Sequence, residues 1–352
     1  MPGLNAARSR GRSAPVLAEL CSRVELPDHV NALSWSPDGA LLAAASLAGP
    51  VFLLDGGSGE VRRELRGHDG GAMCVGFSPD GAWLASGGQD GTVRLYSVAD
   101  GALKAEQPSG GGWVEHLAWA ASGKHLASAA GRVVRVWSSR LTHLGGFESH
   151  PGTVSGLYWL EEEGEVVASC NGGLFRSAPG KKKTTGHLPY KGAIQAMAPS
   201  PDGRCIAVGS QDGTAFVWKL GSTRSFSMPG HQGKVRVLAW SPQSTRLATG
   251  DAEAINLWQL SGPGAGKEQP HRLEAHQGRV TGLFWRKDGL LVSTSEDGTL
   301  RGWLPLQGDK PLFTVEADEP LSGLVLSPDR VHVAAAGVHG RAFIFRLPAL
   351  SR

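Results

Sequence analysis

A chain of 352 residues that is 41% apolar and 19% charged can bury a large core and does not read as disordered. Its 50 Gly and 21 Pro are too many for a helical protein. No apolar run of about 18 residues exists, which excludes a membrane-spanning helix, and a net charge of +3 is too mild to specify nucleic acid or an anionic membrane.

Residues 1–15 are expected to form a flexible basic tail, with Arg8, Arg10 and Arg12 but no acid. The tail lacks the apolar segment of a secretory signal. Val16–Glu25 is an apolar stretch ahead of a series of repeats. The string Ser-Pro-Asp-Gly stands at Ser36–Gly39, Ser78–Gly81 and Ser200–Gly203. Degraded copies follow the same spacing at Ala120–Gly123, Glu161–Gly164, Ser241–Ser244, Arg286–Gly289 and Ser327–Arg330. Just before these turns stand Trp35, Phe77, Trp119, Trp159, Pro199, Trp240, Trp285 and Leu326, at intervals of 42, 42, 40, 40, 41, 45 and 41 residues. Eight copies of a unit this long fall in the range of propeller repeats.

The second copy shows the unit most clearly. Strands are predicted at Ala72–Ser78, Trp83–Gly87, Val93–Val98 and Leu103–Gln107, separated by the turn chemistry of Pro79–Gly81, Gln89–Gly91 and Asp100–Gly101. Four short antiparallel strands cannot cover both faces of their own sheet, but sheets stacked radially cover one another. The last copy ends its third strand near Phe343–Leu347 and leaves too few residues for a fourth. Val16–Glu25 is therefore expected to supply that strand and close the ring without a free edge. The expected fold is all-β: one propeller domain over 16–348, eight four-stranded blades, with 349–352 as a short tail. The rival has seven blades and one degenerate copy outside the ring.

This pattern resembles the WD-repeat family of β-propellers over about residues 16–348. The family signature runs Gly-His, a strand, Ser-Pro-Asp-Gly, a Ser-bearing strand, an Asp turn, and a strand ending in Trp-Asp. His68, His150, His231 and His276 stand at the His position, and Trp137, Trp218, Trp258 and Trp303 end third strands. The resemblance implies a His–Ser–Asp–Trp hydrogen-bond chain inside a blade. The seventh copy matches it as His276, Ser293, Asp297 and Trp303. The second matches with Tyr96 in the Trp position, beside His68, Ser86 and Asp90. The fifth departs, with Tyr190 and Val208 at the His and Ser positions, and the other copies keep fragments. The fourth has no Trp near Leu174–Ser177.

Catalytic patterns are missing. The Ser of the His–Ser–Asp set lies inside a strand and not on a nucleophile elbow. Gly264–Lys267 looks like a phosphate loop but has Ser261 and Glu268 where Gly and Ser or Thr are required. The histidines show no metal-ligand spacing. Cys21, Cys74, Cys170 and Cys205 form no C-x-x-C and read as free thiols of a reducing compartment. No metal and no cofactor is expected, and the protein reads as a non-enzyme of the cytoplasm, with the nucleus as the alternative in a eukaryotic cell. Lys181–Lys183 reads as a solvated loop. Arg94, Arg135 and Arg301 are expected to lay their stems between blades with wet head groups.

Function then falls to loops and strand ends. Two positions per copy are expected to ring the top face, where the first strands begin. The partner-binding candidates are Trp113 and Glu115 in an aromatic and acidic sector, Gln195, the basic Lys234, Arg236 and Arg279, and Gln89, Gln211 and Glu296 ahead of the turn Asp. Such a rim suits a protein or peptide carrying an apolar anchor and acidic groups. The expected function is a monomeric propeller that scaffolds a protein assembly. The alternatives are an enzyme at the central funnel and a nucleic-acid-associated propeller using Arg8–Arg12 and Lys181–Lys183.

Overall fold

A computed structural model describes residues 17–147, 149–160, 164–181, 184–262, 265–266 and 269–350. The expected tail over 1–15, Glu161–Glu163 of the fourth turn, Lys182 and Lys183, and Gly264, Lys267 and Glu268 lie outside these residues.

The described residues form 32 strands in eight four-stranded sheets, each antiparallel and each ordered as its strands run in sequence except the last. The second sheet is Ala72–Phe77, Trp83–Gly88, Thr92–Ser97 and Leu103–Pro108, within a residue of the sequence expectation. The first strand of every sheet touches the first strands of the sheets before and after it, and the eighth touches the first. These eight inner strands thus circle a common axis, and the seven-bladed rival is excluded.

The repeated tetrapeptide makes the turn out of each inner strand. In the second blade Pro79 supplies the preset φ of a turn, and the Ser78 hydroxyl donates to the Asp80 carboxylate at 2.5 Å while accepting from the Trp83 N–H at 3.0 Å. Asp80 accepts from the Ala82 N–H at 3.1 Å. Gly81 closes the turn at φ 71°. Where the glycine is replaced, the backbone keeps its course: Ser244 and Arg330 stand at φ 57° and 62°. A left-handed non-glycine residue costs about 1–2 kcal/mol, so the rest of the turn outweighs that strain.

The core lies between blades. Leu33, Trp35, Leu42 and Phe52 of the first blade pack on Ala334, Ala342 and Ile344 of the eighth, and similar clusters fill the later interfaces. Four of the five inner-strand indoles tie their blade to the one before, while the buried Trp285 N–H has no partner among the described residues. Trp119 donates to Gly76 O at 3.1 Å, Trp159 to Ala118 O at 2.8 Å and Trp240 to Ala198 O at 3.0 Å. Trp35 closes the circuit by donating to Val325 O of the eighth blade at 3.3 Å.

The eighth sheet is completed from the N-terminal side. Glu19–Glu25 pairs antiparallel with Arg341–Arg346, from Glu19 against Arg346 to Glu25 against Arg341. Val24 and Leu26 are buried in the cluster between the eighth and first blades. Arg23 pairs with Asp318, and Arg341 with Glu25 at 3.4 Å. Beyond the last strand, Leu347 is buried, Leu350 packs beside it, and Pro348 O accepts from Arg286 at 2.7 Å.

Candidate partner-binding rim

The blade scaffold sets the rim in place through the four-residue chain. In the seventh blade His276 Nε2 lies 2.8 Å from Ser293 Oγ, His276 Nδ1 lies 3.0 Å from Asp297, and Trp303 Nε1 donates to Ser293 Oγ at 2.9 Å. Burial lowers the pKa of His276 although Asp297 opposes the change. Burial pushes the Asp297 carboxyl up, but hydrogen bonds from Thr299 and the Gln277 N–H hold it at about 2. The second blade repeats the set: His68 to Ser86 at 2.7 Å, His68 to Asp90 at 2.9 Å, and Ser86 to Tyr96 at 3.3 Å.

Two further relays exist that sequence reasoning missed. In the sixth blade Thr249 replaces Ser, accepting from Trp258 at 3.0 Å and lying 2.7 Å from His231. In the third, Ser109 takes the His position, 2.6 Å from Ser128, which also accepts from Trp137. Read as a hydroxyl, and not as Ser alone, both positions carry the signal. The fifth blade substitutes an aromatic cluster, with Tyr190, Phe216 and Trp218 ring centroids 4.7–6.1 Å apart.

Among the third-strand arginines Arg94 differs from expectation. Arg94 is 4% exposed. Its guanidinium donates to Asp90 at 2.9 Å, Glu106 at 2.8 Å and Gly67 O at 2.6 Å. Arg135 donates to Pro108 O at 3.0 Å and Arg301 to Ala275 O at 2.6 Å. The Arg94 head is buried and not wet, whereas the Arg301 side chain is 22% exposed. All three satisfy carbonyls at or just past an outer strand, and Arg94 also pairs carboxylates.

In the fourth blade His150 packs between Phe147 and Phe175, with centroids 5.5 and 5.3 Å away. Its buried Nε2 has no hydrogen-bond partner among the described residues. Burial, aided by Arg132, lowers its pKa to about 4. An unfolded histidine titrates near 6.5, so between pH 6.5 and 4 the unfolded chain binds more protons and stability falls as pH falls. His150→Phe should flatten that decline by about 2–3 kcal/mol at pH 4 and leave stability at pH 8 equal or higher. Urea denaturation at the two pH values reads both.

At the top rim, six of the eight inner strands carry a bulge at their second residue: Asn31, Met73, Glu115, Gln195, Thr281 and Ser322. A bulge re-aims a side chain at a sheet edge, which gives these positions their outlook on the rim. In five blades the residue leaving the second strand docks on the same rim. Gln89 N–H donates to Gly71 O at 2.9 Å, Gln211 N–H to Ala193 O at 2.9 Å and Glu296 N–H to Arg279 O at 3.0 Å. The two predicted rows are therefore stitched together by backbone.

Glu115 and Gln195 share one recess of about 440 Å³ with Thr153, Ser155 and Asn171, spanning the third to fifth blades. Trp113 is 52% exposed, next to the buried Val114 that starts the third inner strand. Lys234 and Arg236 are exposed on the sixth blade and have no ion-pair partner among the described residues. Arg279 differs from the reading of a free basic sector: its guanidinium pairs with Glu296, another candidate. Gln89 amide meets Met73 Sδ at 3.6 Å, and Gln211 is exposed. The rim thus brings Glu115 and Gln195 together and pairs Arg279 with Glu296, while Trp113 and the Lys234–Arg236 pair stand in separate sectors. Among the described residues no group of three or more His, Cys, Asp or Glu is placed to hold a metal ion.

Eight four-stranded blades around one axis, tied by hydroxyl-centred relays, define a β-propeller of the WD type. The WD domain, G-beta repeat family matches residues 20–49, 59–97, 105–138, 180–219, 222–259 and 267–303, more than half of the chain, and the chain belongs to that family. Protein HIR1 of Yarrowia lipolytica is 29% identical over 193 residues, which cover 45% of this chain and 18% of that protein. Actin-interacting protein 1 of Drosophila melanogaster is 31% identical over 163 residues, 45% of this chain and 26% of the relative. WD repeat-containing protein 1 of Gallus gallus is 40% identical over 119 residues, 33% and 19% of the two chains. The chain spans about a quarter or less of the length of these curated relatives. The crystal structure of the computationally designed Ika8 protein matches with a TM-score of 0.78 at 21% identity, over 93% of this chain and 99% of that one, a likeness of fold alone.

Proposed function

We propose that this propeller is a non-enzymatic scaffold, monomeric in itself, that binds a protein or peptide partner on its top rim within a multiprotein assembly. The observation that supports this most is the half-exposed Trp113 on a frame fixed by backbone bulges, facing solvent on the same rim as the unpaired cations Lys234 and Arg236. An aromatic anchor with separate charged sectors recognises a partner with one apolar side chain and acidic groups. The four thiols are free, which suits a reducing compartment such as the cytoplasm.

The test is kinetic. Once a partner is purified from the native source, Lys234→Glu and Arg236→Glu should slow its association and flatten the salt dependence. Arg279→Gln should change association less, because Glu296 already neutralises that charge. Trp113→Ala should speed dissociation by about 30-fold, the equivalent of about 2 kcal/mol. None should shift the melting temperature. Wild-type rates in all variants would remove the binding surface from this rim.

A further inference from the structure

Around much of the top rim, polar side chains are engaged within the protein. Asn31 donates to Ala72 O at 2.8 Å, the Gln89 amide meets Met73 Sδ at 3.6 Å, and Arg279 pairs with Glu296. The recess of about 440 Å³ across the third to fifth blades is different. Glu115, Thr153, Ser155, Asn171 and Gln195 converge on it. Among the described residues, the side chains of Glu115, Thr153, Asn171 and Gln195 make no hydrogen bond and no ion pair. No Lys or Arg lines the recess, and Glu115 is its one carboxylate. His116 also lines it. Burial lowers the pKa of that imidazole, although a hydrogen bond to the Val154 backbone opposes the change, so it is neutral at neutral pH. Arg132 and Lys191, on the third and fifth blades, stand outside the lining, and Arg132 donates to His150 O at 2.5 Å. The recess therefore holds one negative charge without a counter-charge, ringed by free polar groups.

We infer that this recess receives the guanidinium of an arginine side chain of the partner, an inference that rests on the top rim being the docking face. The lining rejects the other classes of occupant. An anion meets the Glu115 charge with nothing to offset it. An apolar side chain would strip water from four polar groups and return no hydrogen bond. A metal ion lacks ligands, since among the described residues no group of three His, Cys, Asp or Glu is placed to hold one. A cation with several N–H donors answers every group at once. An ammonium offers three donors from one point, whereas a guanidinium offers five in a planar fork. Two of them match a carboxylate, and the others reach carboxamide and hydroxyl oxygens. The volume lies within the range of about 300–1,000 Å³ common to ligand pockets. Trp113 stands two residues before Glu115 on the third blade, and Lys234 and Arg236 stand on the sixth, beyond the recess. The partner thus presents its apolar, basic and acidic groups in that spatial order around the rim.

The probe is the N-acetylated, C-amidated peptide Leu-Gly-Arg-Gly-Gly, titrated by calorimetry at low salt against the intact chain. Replacing its Arg by Gln should weaken binding at least tenfold. Glu115→Gln should weaken binding of the Arg peptide at least tenfold and leave the Gln peptide unaffected. It should also leave the melting temperature unchanged, because Glu115 makes no ion pair in the fold. Glu64→Gln removes the same charge from the exposed outer strand of the first blade and should leave the affinity for the Arg peptide as it is. Trp113→Ala should weaken the Arg and Gln peptides by the same factor, which separates the aromatic anchor from the recess. If Trp113→Ala weakens both peptides and Glu115→Gln changes neither, the rim stands as the docking face and the arginine pocket falls. Equal binding of the Arg and Gln peptides overturns the inference, as does a loss with Glu64→Gln that matches the loss with Glu115→Gln. A Lys peptide that binds as tightly as the Arg peptide overturns the choice of a guanidinium. Arginine amide binding as tightly as the peptide would make the recess a free amino-acid site and overturn docking of a partner. No binding of the Arg peptide overturns the inference outright.

Discussion

Removing residues 1–26 should destabilise the whole propeller by on the order of 5 kcal/mol, as much as the entire stability of many domains. The deletion takes away the pairing of Glu19–Glu25 with Arg341–Arg346 and the buried Val24 and Leu26. Burying each of these side chains contributes about 1.5–3 kcal/mol. Their loss also uncovers Ala342 and Ile344 and leaves a long edge strand open to pairing with other chains. The salt links of Arg23 to Asp318 and Glu25 to Arg341 disappear with it, though exposed pairs contribute little. A drop in melting temperature on the order of 10 °C, with aggregation, is the expected readout. Removing residues 1–15 alone should leave the melting temperature unchanged. If both truncations melt like the full chain, the N-terminal strand does not close the ring.

Asp90→Ala should be the most damaging single substitution in a blade interior. The carboxylate accepts from His68, the Asp69 N–H, the Thr92 N–H and hydroxyl, and Arg94, all within 2.7–3.2 Å. Its removal leaves the 4%-exposed Arg94 with Glu106 as its remaining carboxylate and strips His68 Nδ1 of its carboxylate partner. Breaking a buried pair from one side costs about 3–5 kcal/mol. Asp69→Ala, one turn away and exposed, should stay within about 0.5 kcal/mol. Burial pushes the Asp90 carboxyl up, but His68 and Thr92 hold it well below the usual carboxylate range. Its contribution is therefore complete above about pH 4 and is lost as pH falls below that. The variant and the wild type should converge in stability in strong acid and differ most near neutrality. Asp297→Ala should follow the same course in the seventh blade with a smaller cost, because its Arg301 lies 3.8 Å away and is more exposed.

The blade count and the closing strand were legible because they rest on turns. Ser-Pro-Asp-Gly carries its own hydrogen-bond geometry, so Ser78 and Asp80 announce the turn whatever surrounds them. The relays of the third and sixth blades were hidden by chemistry that letters obscure: Thr249 and Ser109 supply the same hydroxyl or acceptor in another residue. The buried head of Arg94 depends on Glu106 of the next strand, a neighbour known only once the register is fixed. The pairing of Arg279 with Glu296 joins residues far apart in sequence that a bulge and a turn return to one rim.

The pairing of Glu25 with Arg341 has a bearing on how the chain folds during synthesis. The strand synthesised ahead of the eight blades must wait for a partner synthesised after seven of them. At about 5–20 residues per second, the intervening chain takes on the order of 15–60 s to emerge. For that interval the seven complete blades can stack one by one while both terminal edges remain uncovered. Nascent chains should therefore be most vulnerable to mispairing and most in need of chaperones late in translation, and a stall before Ala342 should yield a product with all but one blade and little of the mature stability. Sequence separation of this size also adds loop-closure entropy to the final step, so completion of the circle, and not formation of any blade, should set the folding rate.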